Sequence, residues 1–175
     1  MVAEINRSER ITLRDLIKTI IVSGAIAGLF LMFFRIATVQ GNSMDKTLAD
    51  GDKLVLSTTL YKMEKLKYKD IIVIKRDDLP VKFIIKRVIG IEGDKVSTKN
   101  NKLYINDELV NEDYINGKMN TDDFETIIPE GKVFLMGDNR NSSIDSRSNE
   151  VGLVDCKTQI YGKAIFEISE FKGML

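Results

Sequence analysis

Histidine is absent from all 175 residues, and no other feature of the composition removes as much chemistry. Neither a Ser-His-Asp triad nor a Cys-His pair can be assembled, nor any zinc site that uses imidazole. Cysteine is nearly absent as well. The single thiol, Cys156, cannot form an internal disulfide, has no histidine to activate it, and reads as a small buried apolar side chain. Only Pro80 and Pro129 interrupt the chain, both between candidate strands. Positive and negative charge balance, with 26 Lys and Arg against 26 Asp and Glu, which excludes the basic footprint of a nucleic-acid binder.

The chain does have one long apolar run. Residues 19–34 carry no charge and are bounded by Lys18 and Arg35. Extended over 16–37, the run reaches the roughly 20 residues needed to cross a bilayer core, because terminal Lys and Arg snorkel to the headgroups. Arg35 stands where a cleavable leader would have small residues, so an uncleaved anchor is expected. Arg7, Arg10, Arg14 and Lys18 precede the run and Arg35, Lys46 and Lys53 follow it. This modest bias favours a cytoplasmic tail over 1–15 and a chain beyond the span on the other side.

After residue 37 the sequence changes to short apolar runs separated by Gly, Asn and Asp. Strands are expected over 52–56, 71–74, 81–91, 102–110 and 132–136, with a tight hairpin at Asn106-Asp107 and a turn at Asn116-Gly117. Helical periodicity is confined to about 63–68. The expected fold is mainly β: an antiparallel β-rich core over 38–94 and 131–175, preceded by one N-terminal transmembrane helix. The polar stretch 95–130 interrupts it as an inserted β subdomain, its charges forming a solvated face.

Without histidine, a serine nucleophile needs another base. Ser43 lies in Gly41-Asn42-Ser43-Met44, just past the apolar run, where a serine also serves simply as a turn former. Strand alternation puts Lys86 between Ile84 and Val88 on one face of 81–91. A lysine at its ordinary pKa is neutral in only about one molecule in a thousand near pH 7.5, so a lysine base has to be desolvated. Read alone, the segment fits equally a lysine snorkelling from a strand edge. A second lysine competes, since Ser43-Met44-Asp45-Lys46 spells S-x-x-K, but the S-D-N and K-T-G elements that accompany that spacing are missing. A third polar cluster, 137–147, follows the 132–136 strand with hydroxyls, carboxylates and arginines suited to supporting a buried amine.

In order along the chain, the apolar span, G-N-S-M-x-x-T-L, G-D-K-L-V-L, K-R-V-I-G-x-x-G-D and G-D-N-R-x-x-S-x-D-S-R resemble the type I signal peptidases, the Ser-Lys leader peptidase family. The resemblance runs from the anchor to about Val154. It implies a membrane-bound endopeptidase that removes signal peptides from exported preproteins, cutting after small residues, with Ser43 as nucleophile and Lys86 as general base. Ser143 would orient the lysine amine, while Asp138 with Arg87 and Asp145 with Arg147 would support the base-bearing strand. The oxyanion hole would use the N–H of Ser43 and a donor at Gly41; Val39, Met44, Leu48, Ile84 and Ile85 would line shallow pockets for small side chains.

The resemblance implies no cofactor and no metal. The partners it implies are preprotein signal peptides and the lipid bilayer, with the catalytic domain expected on the extracytoplasmic side of the cell membrane. One departure stands out: Lys46 occupies a position where the family usually has proline. It leaves open a specialised or non-hydrolytic relative serving a few exported substrates such as pilins.

Overall fold

The computed structural model describes residues 12–59, 62, 65–78 and 80–168. Arg7, Arg10 and most of the expected tail lie outside them, as do Met63 and Glu64 of the helical stretch expected at 63–68. The remainder of that stretch, from Lys65 to Tyr68, forms no helix. The chain divides into two units, 1–34 and 35–175.

The first unit contains one helix, α1, over Leu13–Phe33. Thr12 caps it with a capping box: its hydroxyl accepts from the Asp15 N–H, and the Asp15 carboxylate accepts from the Thr12 N–H. At 21 residues the helix spans about 31 Å, enough for a bilayer core, and none of its side chains is buried. It ends four residues before the expected limit. Phe34–Thr38 forms strand β1 instead, an aromatic and β-branched segment that pairs into a sheet.

The second unit is built on a seven-stranded sheet in the order β1-β2-β11-β3-β4-β9-β10. Its members after β1 are β2 (Lys53–Ser57), β3 (Ile71–Lys75), β4 (Phe83–Ile91), β9 (Lys132–Met136), β10 (Val154–Asp155) and β11 (Ile160–Ile168). The 95–130 stretch supplies a second sheet, β7-β6-β5-β8, from β5 (Lys95–Lys99), β6 (Lys102–Ile105), β7 (Glu108–Leu109) and β8 (Phe124–Ile127). Asn106 and Asp107 both adopt positive φ, 52° and 69°, the two-residue hairpin that their sequence favours. Register shifts in β11 mark bulges where it passes from β2 to β3.

Alternation along the central strands sorts three apolar clusters. Val88 with Val133 and Leu135 packs on one side, and Ile89 with Phe134 and Met136 packs on the other, against Val96 and Leu103 of the second sheet. A third cluster joins Val39, Met44 and Leu48 to Leu54, Leu56 and Val73. It buries the turn after β1 and so anchors the residues around Ser43.

Candidate active site

Three segments converge. The first is the turn 41–48, held down by Met44 and Leu48, which are 1% and 2% exposed. The second is β4, pinned between β3 and β9, where Lys86 sits opposite Ile72 and Arg87 opposite both Ile71 and Met136. The third is the 137–147 loop that leaves β9 and returns to it through Ser146, whose N–H donates to Leu135 O while its hydroxyl accepts from Leu135 N–H.

Lys86 is 2% exposed, and its Nζ donates to Ser43 Oγ at 2.8 Å and to Ile85 O at 3.0 Å. Desolvation of the buried amine brings its pKa down to about 8, against the opposing pull of Asp145 and then Asp138, with Arg147 adding to the fall. At that value about one amine in four is neutral near pH 7.5. The serine hydroxyl and the uncharged amine are therefore within proton-transfer reach.

Each nearby carboxylate has its own guanidinium. Asp138, fully buried, accepts from Arg87 Nε at 2.7 Å and from Nη2 at 2.6 Å; Asp145 accepts from Arg147 Nε and Nη2, both at 2.8 Å. Arg87 also donates to Lys69 O and to the Thr47 hydroxyl of the nucleophile turn. Gly137 permits the loop to close in, since a Cβ there would meet Ser143 Oγ at 2.2 Å and Ser43 O at 2.6 Å. The Gly137 N–H donates to Asp145 Oδ2 at 2.9 Å, tying the ion pair to the end of β9.

Two expectations need correction. Ser143 does not hydrogen-bond the lysine: its Oγ is buried with no partner among the described residues, because Nζ is directed to Ser43 Oγ and Ile85 O while Ser143 packs over Gly137. Gly41 is no free donor either, since its N–H donates to Asp50 Oδ1 at 2.7 Å. Among the described residues the Ser43 N–H has no acceptor, which leaves that half of the expected oxyanion hole. Of the apolar set, Val39, Met44, Leu48 and Ile85 come together in one cluster. Ile84 packs with Val88 in another, on the face of β4 that it shares with Lys86.

Lys46 does not approach Ser43 as a base. Its Nζ donates to Asp113 O at 2.5 Å, and its φ of 81° is one that proline cannot adopt. Asn139 had no assigned role within its motif. It clamps the turn through its N–H to Ser43 O at 3.0 Å and Nδ2 to Asn42 O at 3.1 Å. Glu112 and Tyr114 were hidden in the polar 95–130 stretch. Arg140 pairs with both oxygens of Glu112, and Tyr114 covers Arg87, so this part of the stretch is not a solvated face.

Comparison with known proteins gives one consistent result. Residues 13–169 match the family described as signal peptidase, peptidase S26. A signal peptidase I of Bacillus licheniformis is 37% identical over 182 residues, covering 98% of this chain and 96% of the relative. A signal peptidase IB of Staphylococcus aureus strain COL is 38% identical over 159 residues, 77% of this chain and 79% of the relative. A crystal structure of a signal peptidase I from Enterococcus faecalis V583 matches with a TM-score of 0.49 and 32% identity, over 57% of this chain and 96% of that one.

Proposed function

Because the chain belongs to the signal peptidase, peptidase S26 family, we propose that it is a membrane-bound serine endopeptidase that removes signal peptides from exported preproteins, with Ser43 as nucleophile and Lys86 as general base. The 2.8 Å contact between Lys86 Nζ and Ser43 Oγ, made by a buried amine, is the observation that carries this reading. Neutral Lys86 takes the hydroxyl proton as Oγ attacks the scissile carbonyl, then returns it to the departing amine. The acyl-enzyme left on Ser43 is hydrolysed by a water that the same neutral lysine deprotonates. The Ser43 N–H, without an acceptor among the described residues, stabilises the charge on the carbonyl oxygen.

The apolar helix α1 serves as the anchor, with the N-terminus cytoplasmic and the catalytic domain extracytoplasmic. Anchoring confines enzyme and membrane-embedded substrate to one surface and raises their effective concentration. The cluster of Val39, Met44, Leu48 and Ile85 favours small side chains before the cut, since those residues are already packed against one another. The test is cleavage of a preprotein by wild type, Ser43→Ala and Lys86→Met. Wild type cleaves, and each variant loses at least about a thousand-fold in rate; equal processing by wild type and Ser43→Ala sinks the enzyme reading. A non-hydrolytic relative has no need of a buried amine on a serine hydroxyl.

A further inference from the structure

Resting on Lys86 as the base, we propose that Tyr114 is a positioning residue for it: the ring holds the Arg87 guanidinium on Asp138, and so keeps that carboxylate neutralised beside the amine. Tyr114 belongs to neither strand nor loop of the dyad. It lies between β7 and β8, in the connection that leaves the second sheet.

The Arg87 Cζ stands 4.3 Å from the centre of the Tyr114 ring, a stacking distance for a planar guanidinium. The same guanidinium is bonded through Nε and Nη2 to Asp138, so it is held by the carboxylate while the ring covers it. Tyr114 is itself anchored. Its hydroxyl donates to Glu112 Oε1 at 2.8 Å and lies 3.0 Å from the Tyr68 hydroxyl. Glu112 is held by Arg140, whose Nε donates to Gly137 O at 3.1 Å, returning the chain of bonds to the catalytic loop.

The neighbours of Tyr114 grip the other two segments. The Asn116 N–H donates to Asp138 O at 3.1 Å, and Asp113 O accepts from Lys46 of the nucleophile turn. One short connection therefore touches the turn, β4 and the loop together. Nothing in ordinary subdomain packing requires that convergence.

The effect on the base follows from the charges that face it. Asp145 and Asp138 from the loop favour the ammonium form, Arg147 from the same loop disfavours it, Arg87 is the next residue on its own strand, and the turn presents the Ser43 hydroxyl. Asp145 keeps its partner Arg147 whatever happens to Tyr114. If Arg87 loosens, Asp138 becomes the unbalanced anion, and Lys86 holds its proton to higher pH. A residue that merely filled space would lower activity without moving that midpoint.

Competitive acetylation of the full chain with acetic anhydride, read by mass spectrometry across pH 6 to 11, reports the Lys86 midpoint without any turnover. Tyr114→Phe keeps the ring and is expected to keep the wild-type midpoint. Tyr114→Leu and Tyr114→Met remove the ring and are expected to raise it by about 0.5 to 1 pH unit, about three- to eight-fold fewer neutral amines near pH 7.5. Two ring-less variants are used so that loss of folding in one leaves the other as the test. A wild-type midpoint in the ring-less protein, or the same rise in Tyr114→Phe, overturns the proposal. Cleavage by wild type against Ser43→Ala is followed separately, so failure of the peptidase reading is distinguished from failure of the Tyr114 one.

Discussion

Lys86 and Arg87 are neighbours on β4, both buried, yet their surroundings treat positive charge in opposite ways. Around Arg87 the protein gathers a fully buried carboxylate in bidentate contact, a carbonyl, a hydroxyl and an aromatic face, so the cation is satisfied on every side. Around Lys86 the described residues offer a hydroxyl and one carbonyl. The two carboxylates near enough to hold its proton are each committed to an arginine. The guanidinium cannot lose its proton and works as scaffold; the amine can, and its surroundings keep it ready to do so.

The sharpest way to break this contrast is to remove the satisfied cation. Arg87→Met leaves Asp138 buried without a partner and is expected to cost about 3 to 5 kcal/mol in chemical unfolding of the full chain in mild detergent, with cleavage lost. The opposite sign is expected at the neighbouring position. Lys86 has a folded pKa of about 8 against an ordinary 10.5, so at pH values between them the unfolded chain binds more protons, and stability rises with pH across that window. Below pH 8 the whole penalty applies. Lys86→Met therefore gains about 3 kcal/mol at pH 7 while abolishing cleavage, and the gain disappears above about pH 10.5. Loss of stability at pH 7 means that Lys86 is paired more strongly than its contacts indicate.

The smallest effect concerns the second lysine. Lys46 holds a φ of 81°, strained for any residue with a Cβ, and its amine bonds to Asp113 O. Lys46→Gly is expected to stabilise by about 0.5 to 1 kcal/mol and to leave most of the cleavage, measured by unfolding and preprotein processing. Loss of cleavage in this variant together with activity in Lys86→Met moves the base to Lys46.

How much of this was legible in the sequence depended on the range of the signal. The strand bearing Lys86 and the Asn106-Asp107 hairpin are local patterns, and both appear where alternation and turn chemistry place them. The juxtaposition of Ser43 and Lys86 needed the resemblance to the family, since no periodicity brings residues 43 apart together. The apolar pattern carries the span past the end of α1 because Phe34–Thr38 is apolar enough to continue a helix; pairing with β2 decides otherwise. Strand β11 went unnoticed because Gly162 and two bulges disguise its alternation. Glu112 and Tyr114 look like surface residues until Arg140 and Arg87, distant in sequence, close over them. The Ser143 and Gly41 contacts turn on hydrogen-bond geometry, which no residue pattern encodes.

The central claim is that a lysine made easy to deprotonate by burial is the base. The direct measurement is kcat/KM for wild-type cleavage of a preprotein from pH 6 to 10. The account predicts an acid limb in which activity rises as Lys86 loses its proton, with a midpoint close to 8. A rate independent of pH over that range, or a midpoint at the ordinary lysine value near 10.5, contradicts it.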